Sequence, residues 1–167
     1  FYMTAVTEIR HVGYGVTDLN DERAFYRDIW GLRDAGEHDG MAHFAAEGHD
    51  EPYVVRLRQA DVARIDVIAL AADSRADVDA LHEKVAAHGC RIIFTPKNLD
   101  TLGGGYGFRF FSTDGLPFEI SSDVARGQMR DMQRWEGIPQ KISHIVLHSP
   151  DHQATVQFFV DVLGFKV

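Results

Sequence analysis

Cysteine is almost missing from this chain, and Cys90 alone excludes an intramolecular disulfide framework. It follows Gly89 at the expected start of a strand with no Cys-His pairing around it, so it reads as a small buried hydrophobe. Long hydrophobic runs are missing too: no eighteen consecutive apolar residues occur, which excludes a helical membrane span. The amino terminus lacks the basic, apolar, then small-residue order of a signal peptide, which makes the cytoplasm the expected location. Phe1 and Tyr2 stand ahead of Met3, a natural start, and carry no structural weight in this reading. Basic charge is scarce, with 17 Lys+Arg against 25 Asp+Glu and a net charge of -8. The basic residues are scattered singly, so nucleic acid and anionic membranes are poor partners. Gly103-Gly104-Gly105-Tyr106-Gly107 lacks the Gly-Lys-Ser/Thr ending of a phosphate loop and precedes a strand, so it reads as a flexible loop. No Gly-x-Ser-x-Gly elbow is present either.

What is there is an internal repeat. Ile9-Arg10-His11-Val12 opens a segment ending Asp28-Ile29-Trp30-Gly31, and Ile142-Ser143-His144-Ile145 opens one ending Asp161-Val162-Leu163-Gly164. The two match without a gap: 144 minus 11, 158 minus 25 and 164 minus 31 all give 133. Ile9/Ile142, His11/His144, Asp18/Asp151, Phe25/Phe158, Asp28/Asp161 and Gly31/Gly164 are identical pairs. Unrelated segments of this length share only about one or two identities at average composition.

Each copy reads as a strand followed by a helix. Ile9 to Val16 alternates as a half-buried strand, Phe25, Ile29 and Leu32 fall at helical spacing over Asp21 to Trp30, and Gly31 ends that helix. In the later copy Asp151 caps, Ala154, Phe158 and Val162 share a face, and Gly164 stops the helix. A weaker copy lies between them: the β-rich run Ile65 to Ala71, a capping box at Ser74 to Asp77, the stripe Val78, Leu81 and Val85, and Gly89. Further strands are expected at Met41 to Ala46, Tyr53 to Gln59, Arg91 to Thr95, Tyr106 to Ser112 and Phe118 to Ser121, with an Asp114-Gly115 hairpin turn. The unit is βαβββ, and the fold class is α+β. Two units fill residues 9 to about 122 and should curl into an incomplete barrel, because each alone exposes an apolar sheet face. Residues 123–141, with Met129, Met132 and Trp135 in a polar setting before Gly137-Ile138-Pro139, are expected to form a linker helix. A third unit begins at Ile142, so residues 142–167 are expected to be the start of a truncated second domain.

Tandem βαβββ units with His11 and His144 on first strands, helices ending Phe25-Tyr26-Arg27-Asp28-Ile29-Trp30-Gly31 and Phe158-Phe159-Val160-Asp161-Val162-Leu163-Gly164, and Thr113-Asp114-Gly115 leading to Glu119 form a pattern. It resembles the vicinal oxygen chelate superfamily of glyoxalases, bleomycin-resistance proteins and extradiol dioxygenases. A restart after two units and a linker is closest to the two-domain extradiol ring-cleaving enzymes. That resemblance implies a non-catalytic first domain over 1–122 and a catalytic domain from 142. It also implies Fe(II) held by a His on the first strand of unit three, a His of unit four and a late Glu; only the first maps here, as His144. Two histidines and a carboxylate on one face leave open positions for substrate and dioxygen. The implied partners are a catechol-type aromatic and O2, with a homo-oligomer expected; catalytic residues other than the metal ligand have no counterpart in this chain.

The same ligand positions read across the first domain give His11, Asp66 and Glu119, a trio chemically able to hold a divalent cation. The resemblance argues against that use, since this half is a metal-free remnant and Asp66 stands where His is expected. His148, four residues beyond His144, reads as a pocket or surface residue, and His38, His43, His49, His82, His88 and His152 show no ligand spacing. The alternatives to a dioxygenase are an oxygen-independent metal isomerase or lyase of the same superfamily, or a ligand-sequestering protein. A His and a carboxylate in a fourth unit would favour an enzyme over the binder.

Overall fold

The computed structural model describes residues 4–167; Phe1, Tyr2 and Met3 lie outside the described residues. The first unit runs β1 (Glu8–Val16), α1 (Leu19–Ala24), β2 (Arg33–His38), β3 (Met41–Ala45) and β4 (Val55–Gln59). The second runs β5 (Arg64–Ala71), α2 (Arg75–Ala87), β6 (Arg91–Asn98), β7 (Tyr106–Phe111) and β8 (Pro117–Ser122). Both are βαβββ, as the repeat predicts. Their strands form one open sheet in the order β2-β3-β4-β1-β5-β8-β7-β6. β1 pairs antiparallel with β5 at the centre, while each also pairs parallel with the last strand of its own unit, β4 or β8.

Local chemistry explains the helix boundaries. Asp18 accepts a hydrogen bond from the Asp21 backbone N–H, Ser74 Oγ from that of Asp77 and Asp151 from that of Ala154, so each helix has a side-chain N-cap. Gly31 and Gly164, partners in the repeat, take φ of +75° and +78°, the left-handed conformation that ends a helix with least strain in glycine. The first helix is shorter than Asp21 to Trp30: after Ala24 it widens into a π-helical turn over Phe25–Ile29, closed by Trp30 N–H donating to Phe25 C=O.

Four expectations are corrected. β2 has no counterpart in the sequence reading, because Arg33-Asp34-Ala35-Gly36-Glu37-His38 does not alternate; it is an edge strand paired to β3 alone. β6 extends through Pro96 to Asn98, which an edge strand with a bulged register tolerates. Residues 123–141 contain no helix; they run as irregular chain with turns, tied by bonds such as Gly127 N–H to Asp50 C=O and an Arg130–Glu136 ion pair. Nor does Ile142 to Leu147 pair as a strand among the described residues.

The core lies between the sheet and its helices. Val78, Leu81 and Val85 of α2 meet Phe108, Phe110, Phe118 and Ile120, while Val16, Phe44, Val55 and Leu57 pack near Leu19 and Tyr26 in the first unit. The helix of the later repeat copy, α3 (His152–Asp161), docks on the second unit, burying Phe158 with Val162 and Leu163 in the same cluster. Phe110 stacks between Phe108 and Phe118 at centroid distances of 5.5 and 5.8 Å and meets Phe158 at 6.3 Å. No helix among the described residues is long and apolar enough to cross a membrane. Phe110→Ala should destabilise the chain by about 3–5 kcal/mol through transfer and cavity costs. Calorimetry should record that as a melting point lowered by roughly 10 °C, and a drop of under about 2 °C would contradict this packing.

Candidate functional site

Strand alternation decides what faces the concave side of the sheet. Because Val55 and Leu57 of β4 point to the helices, Arg56 and Arg58 point away from them. Phe108 and Phe110 of β7 likewise send Arg109 across, and Phe118 and Ile120 of β8 send Glu119. His11 and Gly13 of β1 and His43 of β3 complete the floor, and Tyr53 enters just before β4. His11, His43, Tyr53, Arg56 and Glu119 are all buried. Both units line one cavity of about 420 Å³, with Met41, Arg56 and Arg58 on one wall and Phe94, Lys97 and Arg109 on the other. The sheet is therefore curled about a cleft.

His11, Asp66 and Glu119 lie on neighbouring elements but are not a ligand set. Asp66 accepts hydrogen bonds from Arg58 Nε at 2.8 Å, Arg58 Nη2 at 2.9 Å and Arg64 Nε at 3.1 Å. Burial pushes its carboxyl up, but these bonds outweigh it and hold the pKa below the usual value. Glu119 accepts from Arg109 Nε at 2.7 Å. His11 is held neutral: burial lowers its pKa well below the ordinary value, and the charges of Arg56, Arg109 and Arg10 lower it further. Its Nε2 has no hydrogen-bond partner. Among the described residues, no group of three His, Cys, Asp or Glu is arranged to hold a metal ion.

Aromatic and ionic contacts fix the rest of the cleft. Tyr53 lies between the two imidazoles, 4.4 Å from His11 and 4.5 Å from His43 between ring centroids. Burial, aided by Glu119, pushes its hydroxyl up to about 12, so it stays protonated. His43 is also shifted down, by burial and then Arg56; backbone groups of Gly36 and Met41 oppose this without forming a well-aligned hydrogen bond. Arg10 donates to Glu51 at 2.6 Å, a pair with side chains only 5% and 2% exposed. The glycine-rich loop is not loose: Leu99 N–H donates to Gly105 C=O and Ala125 N–H to Gly103 C=O.

His144 lies elsewhere. It is exposed, with Nδ1 2.9 Å from Ser143 Oγ, at the edge of a second cavity of about 360 Å³ that Val12, Tyr14, Tyr26, Trp30 and Val55 line on the helix side of the first unit. Cys90 is half-buried against the core of the second unit, and burial raises its thiol pKa. Arg56, Arg109 and Tyr53 escape the sequence reading. The signal for the two arginines is an arginine set between two apolar strand residues, as in Val55-Arg56-Leu57 and Phe108-Arg109-Phe110.

The family model described as the Glyoxalase/Bleomycin resistance protein/Dioxygenase superfamily matches residues 8–120. A manganese-dependent 2,3-dihydroxybiphenyl 1,2-dioxygenase from Geobacillus genomosp. 3 is 26% identical over 177 residues, a match covering 99% of this chain and 56% of that protein. The crystal structure of a Mn(II)-bound glyoxalase from Novosphingobium aromaticivorans is 65% identical with a TM-score of 0.95, covering 97% of this chain and 54% of that one. A variant of homoprotocatechuate 2,3-dioxygenase from B. fuscum shares the fold at 22% identity and a TM-score of 0.86, covering 97% of this chain and 45% of that one. The chain thus spans about half the length of the relatives it matches.

The neutral, buried His11 and His43 set an acid limit on stability. Their pKa values are lower in the fold than in the unfolded chain, so below about pH 6.5 the unfolded state binds more protons and stability falls. The expected slope is about 1.4 kcal/mol per pH unit for each histidine, vanishing above neutrality. Urea unfolding between pH 5 and 7.5 should show it, and a His11→Gln/His43→Gln double variant should flatten it; an equal slope in that variant would place the titration elsewhere.

Proposed function

The chain belongs to the glyoxalase/bleomycin resistance protein/dioxygenase superfamily, and from that premise we propose that it is the amino-terminal part of a two-domain extradiol dioxygenase. In this reading the whole protein opens a catechol-type ring beside its diol with O2. Residues 1–122 are its non-catalytic domain, and residues from Ile142 open its catalytic one. The observation that carries the reading is His144, offset by 133 residues from His11 and followed by a helix, α3, that ends at Gly164 as the first ends at Gly31. The 26% identical 2,3-dihydroxybiphenyl dioxygenase among the relatives supports the same reaction class.

The residues of this chain do not by themselves fit a metal centre. His144 offers one imidazole donor, and a non-haem site takes about three protein ligands. We therefore assign His144 as one ligand among others contributed by the whole protein, with Fe(II) as the metal. No step is derived through that ion. Around it, the chain supplies the apolar wall of Tyr26, Trp30 and Val55, which suits an aromatic neighbour.

A second reading has its own support. The 65% identical neighbour is a Mn(II)-bound glyoxalase, so an oxygen-independent reaction with Mn(II) as Lewis acid is the alternative. The whole protein, loaded in turn with Fe(II) and Mn(II) and given a panel of catechols, should consume O2 and form a coloured ring-opened product. His144→Ala should lose bound metal and O2 uptake together, while the unfolding of the first domain stays unchanged. No O2 uptake with either metal would turn the assignment to the oxygen-independent reading. Full activity in His144→Ala would remove His144 from the site.

A further inference from the structure

We propose that the cleft between the two βαβββ units is a binding site for a small aromatic monocarboxylate, seated on the guanidinium of Arg56. This inference is independent of the dioxygenase reading, because the cleft lies on the opposite face of the sheet from the cavity that His144 borders.

Arg56 is only 5% exposed, yet it makes no hydrogen bond or ion pair with any described residue. The other arginines on the cavity wall are already matched: Arg58 holds Asp66 and Arg109 holds Glu119. A buried guanidinium with no carboxylate in direct contact is costly: its burial lowers its own proton affinity, and Glu119 and Asp66 attract it only from beyond ion-pair distance. The fold nevertheless makes room for it. A Cβ on Gly13 would sit 3.1 Å from Arg56 Nε and 3.2 Å from Nη2, so the bare backbone of β1 is where the guanidinium lies. A cation kept in this setting, and lining an open cavity, is a receptor for an anion from outside.

The surroundings narrow the class. A planar fork of N–H donors matches a carboxylate in two parallel bonds. One buried guanidinium without a direct ion pair suits a single carboxylate, while exposed Asp39 and Asp100 at the cavity wall repel dianions such as phosphate esters. Met41, Phe94 and Leu99 offer an apolar lining, and Lys97 already lies 4.5 Å over the Phe94 ring, adding a second unpaired cation at the mouth. A volume of about 420 Å³ accepts one aromatic ring with its carboxylate.

Benzoate is the probe, titrated into the whole chain at constant ionic strength with chloride as the control anion. It should raise the melting temperature saturably, where chloride does not, because a ligand that binds only the folded state stabilises it. Nuclear magnetic resonance should show the Arg56 Nε–H and Gly13 amide signals moving with benzoate. Arg56→Met should weaken binding at least about tenfold, the loss of a charge-assisted pair. His144→Ala should bind benzoate as the parent does. The spectral readout needs no variant, so the test stands even if Arg56→Met fails to fold. Unmoved Arg56 and Gly13 signals, an effect that chloride reproduces, or undiminished benzoate affinity in Arg56→Met would each overturn the site.

Discussion

The antiparallel pairing of β1 with β5 is the constraint on which the rest of this molecule depends. Neither unit has a closed sheet of its own; each offers a parallel pair, β1 with β4 or β5 with β8, whose crossover carries a helix over one face. Joining the two first strands makes an eight-stranded sheet and leaves both helices on the same side. The opposite side must then be the cleft. With a side-chain period of two, every apolar residue given to the helix side commits its neighbour to that cleft, and this is how arginines come to stand in the middle of a sheet.

Charge, more than space, decides what such a cleft can do. Four cationic side chains, Arg56, Arg58, Lys97 and Arg109, reach its wall. Two of them take up the carboxylates that a metal would need, since Asp66 and Glu119 each hold an arginine hydrogen bond shorter than 3 Å. Burial first, and then the charges of Arg56 and Arg109, keep His11 neutral. Beneath this, the Arg10–Glu51 pair shows the other way of burying charge. Burial raises the Glu51 pKa, Arg10 and Arg126 oppose the shift, and both oxygen and nitrogen remain matched at 2.6 Å.

Much of the architecture was legible because it rests on periodic signals. Phe25 and Phe158 at matching offsets, Gly31 and Gly164 at helix ends, and the stripe Val78, Leu81 and Val85 all report local physics that tertiary contacts then reinforce. β2 was not legible, because an edge strand needs hydrogen bonds from one neighbour only and no apolar face. The linker helix failed for the converse reason. Met129, Met132 and Trp135 have helical spacing, but Met129 and Trp135 stay exposed, so no packed face rewards a helix there. Within the site, type and spacing grouped His11, Asp66 and Glu119 as a trio able to hold a divalent cation, a use the resemblance argued against. They could not show that Arg58, Arg64 and Arg109, distant in the repeat logic, would claim the carboxylates.

The comparison of His11 with His144 carries this point furthest. They occupy one position of one repeat, although the resemblance gives a ligand role to His144 alone. His11 is sealed by Tyr53 at 4.4 Å and surrounded by guanidinium groups, so a cation approaching it would meet like charge before it met a donor. His144 is exposed, its ring next to a neutral serine hydroxyl, at the edge of a cavity lined by apolar side chains and Lys141. One repeat position thus holds the same imidazole twice in different surroundings, and for His11 those surroundings are Tyr53 and the guanidinium groups of the cleft. His11 and the arginines around it therefore act as one electrostatic unit, in which burial and then like charge keep the imidazole neutral.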